Sequence, residues 1–230
     1  MTGSRHPKEP TLSGPTIDEL MIADDADAWR ALGFTVEDDC CRLGRVLLRF
    51  VADGEERGIL RWSLRGLQAT MLDGLPTSLS ETELPEPAAA HANGAIAIDH
   101  VVAFSPAFER SVQALRDAGL DLRRVRDEPT PTGAPRQAFF RLGDEILELV
   151  QEPEEAVSRL GGPDHPARFW GLAVIVEDID RAAAEMAPHT SDPRPAVQPG
   201  RRIATVRRSA GLTVPLALMS GVENGNGASD

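Results

Sequence analysis

The chain has 230 residues, 41% of them hydrophobic, and carries a formal charge of −12 with a pI near 4.9. A folded chain of this length buries roughly 70–75% of its surface, so one large domain or two small ones both fit. The acidic balance excludes a nucleic-acid backbone or an anionic membrane as partner unless a local basic patch dominates, and no stretch approaches the roughly 18 continuous apolar residues of a spanning helix.

Residues 1–15 and 222–230 are Pro, Gly, Ser and charge without apolar period and read as disordered tails. Between them the chain repeats itself. The first unit, within 16–75, runs TIDELMI as a strand, a helix ending in ALGF, and then CCRLGRVLLRFV as two strands. An extra strand, GILRWSLRGL, follows before a truncated helix, and 76–94 is a Pro/Ala/Glu linker by composition. The second unit opens on AIAIDHVVAF, a β-branched apolar run between Gly94 and Pro106 that reads as a mostly buried strand. Its helix places Phe108, Val112 and Leu115 on one stripe, and RQAFFRLGDEILELV closes it with strands. The third unit is RFWGLAVIVEDIDRAAAEM followed by RRIATVRRSAGLTVPLALMS. Asp24, Asp25 and Asp178 fall at helix starts, and Gly33 and Gly119 suit the left-handed residue after a helix end.

RLGRVLLRFV aligns with RLGDEILELV, which sets Arg49 where the second unit has Glu148. In the same frame Glu19 takes the place of His100, the only histidine inside a strand. Asp99 alternates out of the core, His91 and His165 fall in connecting segments as solvated residues, and the arginines at 123, 124 and 126 read as a solvated strand face. Cys40 and Cys41 are adjacent, point to opposite faces of a strand and cannot readily bridge, which fits a reducing, cytoplasmic compartment. No phosphate loop, dinucleotide glycine fingerprint, Cys-Cys zinc pattern or serine elbow is present.

A βαβββ unit of about 50 residues that opens with IDHV and closes with LELV resembles the vicinal oxygen chelate superfamily, which includes glyoxalase I, bleomycin-resistance proteins and extradiol dioxygenases. The resemblance implies an α+β fold in which units paired in tandem, here 95–221, curve into half-barrel sheets around a cleft, with 16–75 as an additional N-terminal unit. It also implies a divalent ion, Zn, Fe, Mn or Ni, on the His of the first strand and the Glu of the last, matched here by His100 and Glu148. The corresponding places in the third unit hold Gly171 and Leu216, so half of such a site is missing. Convergence of Glu19, His100 and Glu148 is the alternative, with Glu148 and Glu19 as proton-moving carboxylates and Arg49, Trp170 and Arg201 as ligand contacts. Two functions remain open: a protein that binds a small organic molecule without metal chemistry, or a metal-dependent lyase, isomerase or dioxygenase acting on vicinal oxygens. A first unit without an in-chain partner would expose its sheet, which predicts a homodimer.

Overall fold

A computed structural model describes residues 14–52, 55–129, 133 and 135–221, so the expected tail at 222–230, and all of that at 1–15 except its last two residues, lie outside the described residues. In chain order the elements are β1 (Thr16–Ile22), α1 (Ala26–Ala31), β2 (Cys40–Leu43), β3 (Val46–Phe50), β4 (Ile59–Arg65), β5 (Thr77–Ser80), β6 (Ala95–Ser105), α2 (Phe108–Asp117) and β7 (Asp121–Arg126). They continue with β8 (Gln137–Leu142), β9 (Glu145–Gln151), α3 (Glu154–Arg159), β10 (Arg168–Val176), α4 (Ile179–Glu185), β11 (Arg194–Pro195), β12 (Arg202–Thr205) and β13 (Leu216–Ser220). The fold is α+β, with strands in two sheets and the helices laid on them.

One sheet has the order β2-β3-β1-β4-β5; the other has β11-β12-β13-β10-β6-β9-β8-β7. The five strands of the first repeat β8-β9-β6-β10-β13 of the second, with the same parallel and antiparallel senses at every step. Register repeats too. Glu19 faces Leu47 across the parallel ladder as His100 faces Ile146, which puts Arg49 and Glu148 two residues on in each case. A register shift at Asp18 against β4 matches one at Asp99 against β10, so the residue before Glu19 and the residue before His100 are both bulged.

This symmetry changes two expectations. Thr77–Ser80, inside the stretch read as linker, is a strand, and 66–76 carries no helix. With β4 and β5, the first unit completes its own sheet within the chain, so the premise of the dimer expectation does not hold. Its open face is also charged rather than apolar: Glu19, Arg42, Arg49 and Arg61 alternate outward while Leu20, Leu43, Leu48 and Trp62 are buried.

One hydrophobic cluster joins the two sheets. Trp62 of β4 meets Phe169 of β10 edge to face at 5.0 Å, and the β2–β3 turn presses Gly44 against Ala97 of β6. Gly44 holds φ +59, and a Cβ there would lie 3.2 Å from the Ala97 methyl. Phe108, Val112 and Leu115 of α2 are buried as the stripe predicts, while Asp25 and Asp178 accept backbone N–H groups at their helix starts. Asp24 is instead a buried tie: it accepts from Trp29 Nε1 at 3.0 Å and from Thr213 N at 2.5 Å, linking the first unit to the third.

His91, expected to be solvated, is 6% exposed. Its Nδ1 accepts from Thr35 N at 3.0 Å and its Nε2 lies 3.1 Å from Arg42 O, and burial holds the imidazole below its ordinary pKa of 6.5. The segment before β6 is thereby pinned to the first unit. Cys40 and Cys41 are free thiols, and burial pushes Cys41 up to about 12, which suits packing rather than reactivity.

Candidate functional site

β6 is the longest strand and lies in the middle of the larger sheet, paired with β9 on one side and β10 on the other. A strand of period two presents only every second side chain to one face. The bulge at Asp99 breaks that rule, and Asp99 and His100 both line a cleft of ≈ 580 Å³. Ile98 and Val101, flanking them, are buried in the core.

His100 is held between two carboxylates. Its Nδ1–H donates to Asp99 Oδ2 at 2.7 Å, and its Nε2 stands 3.4 Å from Glu148 Oε2. Asp99 is not a surface residue, as strict alternation predicted; its side chain is 12% exposed and its second oxygen meets Arg201 Nη2 at 2.6 Å. Burial alone raises the Asp99 carboxyl, but the bonds from His100 and Arg201 outweigh it and hold the group below its ordinary 3.8. Arg201 is buried and anchored in turn by Ser220 O at 2.8 Å and Gln198 Oε1 at 2.8 Å. Glu148 accepts from Gln137 Nε2, whose own Oε1 is buried with no partner. Apolar walls come from Phe139, Ile146, Ile203 and Met219, with Ala196–Pro199 along one rim.

The other expected site residues go elsewhere. Glu19 is paired with Arg49 at 2.9 Å in the first sheet and does not line the cleft, so it does not converge with His100 and Glu148. Arg49 is committed to Glu19 and to Cys40 Sγ at 3.3 Å. Trp170 is 45% exposed, packs at a 51° tilt against Phe104 with ring centroids 5.4 Å apart and is not among the residues lining the cleft. Arg201 reaches the site only through Asp99.

The second half of a metal set is closed. In the β6–β10 pair, His100 faces Ala173 as Gly171 faces Val102, so Gly171 is the twin of His100. A Cβ at Gly171 would lie 2.6 Å from Pro215 O, leaving no room for any side chain. Val102 faces Glu148 and its twin Ala173 faces Ala217, which makes Ala217, not Leu216, the twin of Glu148. Leu216 is buried in the core. Two protein donors remain, fewer than a lasting zinc site takes, and among the described residues no cluster of three His, Cys, Asp or Glu is placed to hold an ion. The residues present do not fit the family's metal set.

No family model matches the sequence, and no curated protein matches it. Among solved structures, the chain superimposes with TM-score 0.57 and 13% identity on a xylose isomerase-like TIM barrel/4-hydroxyphenylpyruvate dioxygenase fusion protein. The match covers 96% of this chain and 50% of the fusion protein, so the chain spans half the length of that relative. This chain has the vicinal oxygen chelate fold. Methylmalonyl-CoA epimerase from Mycobacterium tuberculosis matches at 16% identity and TM-score 0.47, over 56% of this chain and 90% of that one. A Streptomyces coelicolor methylmalonyl-CoA epimerase variant in complex with 2-nitronate-propionyl-CoA matches at 20% and 0.46, over 56% and 96%. Among the described residues no helix is long and apolar enough to cross a membrane.

Sequence reasoning missed Asp99, Gln137 and Ala217. The Asp-His adjacency was visible, but alternation assigns neighbours to opposite faces, and only the bulge turns both inward.

Proposed function

We propose that this vicinal oxygen chelate chain binds a small organic molecule in the cleft of the larger sheet, with the polar end of that molecule at His100, Glu148 and Gln137, without a resident metal ion. The observation that carries the reading is Gln137: its Oε1 is buried without a hydrogen-bond partner in a cleft wall, and such an acceptor is costly unless something donates to it. The cleft falls in the size range of small-molecule sites and combines apolar walls with a few fixed polar groups.

The test uses the neutral fluorophore phenylnaphthylamine on the full chain, with Ile203→Trp to fill the cleft from its wall. One equivalent bound by the wild type and none by the variant supports the reading; no binding, or binding that Ile203→Trp leaves unchanged, overturns it. Loading with Zn, Fe, Mn or Ni is the second arm. A stoichiometric ion that survives dialysis and is lost in His100→Ala would overturn the metal-free part and restore the metal-dependent alternative.

One feature favours proton handling in addition to binding. An imidazole whose Nδ1 is fixed on a carboxylate presents Nε2 to the cleft in a single orientation, the arrangement of a general base held by a partner acid. Asp99 and Arg201 act there as positioning residues. NMR of ¹⁵N-labelled protein checks it: His100 resonances that move on Asp99→Asn while those of His189 stay fixed are the expected result.

A further inference from the structure

The cleft has a second polar pole that the acid and imidazole at its floor do not use. Arg124 and Arg126 on β7 line it from the sheet edge. Regular alternation would place Leu122, Arg124 and Arg126 on one face of β7, and Leu122 packs against the hydrophobic core. The ladder to β8 is broken at Arg123: Leu122 faces Phe140, whereas Arg124 faces Phe139. That bulge turns Val125 toward the core and both following guanidinium stems toward the cleft. The bulged Arg123 is itself paired with Asp121 at 3.1 Å, whereas among the described residues neither Arg124 nor Arg126 is in an ion pair. Glu128, two residues beyond Arg126, also lines the cleft.

We infer that the molecule bound in this cleft is an organic anion, its carboxylate, sulfonate or phosphate held by Arg124 and Arg126 and its apolar body lying across Phe139 toward His100. The inference rests on the proposed binding function and adds the ligand's charge and length. Arg124 faces Phe139 and Phe139 faces Glu148, so the arginine strand lies two strand spacings, roughly 10 Å, from the carboxylate at the floor. A ligand that spans this distance carries its anionic group at one end and a hydrogen-bond donor for Gln137 Oε1 toward the other. Guanidinium forks suit planar and tetrahedral oxyanions, and two of them offset the repulsion that a chain of charge −12 presents to an anion.

A matched pair of fluorophores tests the charge separately from the cleft: anilinonaphthalene sulfonate and neutral phenylnaphthylamine differ in the sulfonate. The wild type is expected to bind the sulfonate at least tenfold more tightly than the neutral probe. The double variant Arg124→Gln/Arg126→Gln should lose at least tenfold in sulfonate affinity while its affinity for the neutral probe stays within twofold, which also shows that it is folded. Arg123→Gln, next to the pair but tied to Asp121, should leave both affinities within twofold. Equal affinities for the two probes, an insensitive double variant, or a loss in Arg123→Gln as large as in the double variant would each overturn the inference and leave the binding function intact. Failure of both probes to bind would remove the binding function itself.

Discussion

The five-stranded and eight-stranded sheets share strand order, sense, register and even the bulge before the central position, yet their central positions hold opposite chemistry. In the first, Glu19 is ion-paired with Arg49, and the bulged Asp18 is bound by Arg65 and by Ser80 Oγ at 2.6 Å. Acid is matched by base, and among the described residues no buried side-chain atom of that sheet lacks a partner. In the second, the same places hold His100 and Glu148 at 3.4 Å, the bulged Asp99 is bound by Arg201, and Gln137 keeps an unused acceptor. The difference shows that the scaffold conserves a geometry in which two strand positions meet, while charge complementarity decides whether that meeting point is closed on itself or open to a ligand.

Removing the bulge's partner should produce the largest break. Arg201→Ala strips a buried carboxylate of its guanidinium and should cost about 3 kcal/mol in urea unfolding. Because Asp99 is held below 3.8, the stability its pairing supplies is present above that value and is lost as pH falls through the lower folded value. The variant's acid limb should therefore be shallower than the wild type's.

Next in size is a carboxyl that one sheet has and the other lacks. Glu145 opens β9 where β3 has buried Val46, and burial pushes it up to about 7 from 4.5. The folded state then holds a proton that the unfolded state releases, so stability is greatest below 4.5 and declines as pH rises to about 7. The loss is on the order of 3 kcal/mol. Glu145→Val should abolish that decline and melt higher at pH 8 (about one unit above the folded value). A wild-type melting temperature that rises across this window would contradict the assignment.

Placing a histidine at the twin of His100 is expected to fail. Gly171→His drives a Cβ against Pro215 O and should cost about 2 kcal/mol without creating a metal site, measured by denaturation and metal analysis. The smallest effect belongs to the first sheet. Arg49→Ala removes a pair whose side chains are 43% and 22% exposed and should cost below about 1 kcal/mol. A loss there equal to that of Arg201→Ala would erase the distinction between the two sheets.

The repeat, the α+β class, the strand bearing His100 and the hairpin bearing Glu148 were legible because apolar periodicity and the RLG turn survive in the residues themselves. The second half of the first sheet was not, since β5 is four residues, TSLS, flanked by Pro and Glu, and its pairing with β4 depends on partners distant in sequence. Asp99 and the pair at Arg124 and Arg126 were assigned to solvent for one shared reason. Strict alternation is the rule available from sequence, and bulges at Asp99 and Arg123 break it. Leu216 was one position off for a related cause: matching the repeats by sequence cannot locate a twin that only the strand register defines.

The contact between Gly171 and the Pro215 carbonyl also limits which substitutions the strand accepts. Backbone occupies the volume a side chain would need, and the same carbonyl accepts Leu172 N at 2.9 Å. Any side chain there would require the strand to retreat first, and retreat alone gives up a hydrogen bond with nothing gained. A side chain at this position therefore cannot be gained by one substitution alone: the backbone of the neighbouring strand has to give way as well.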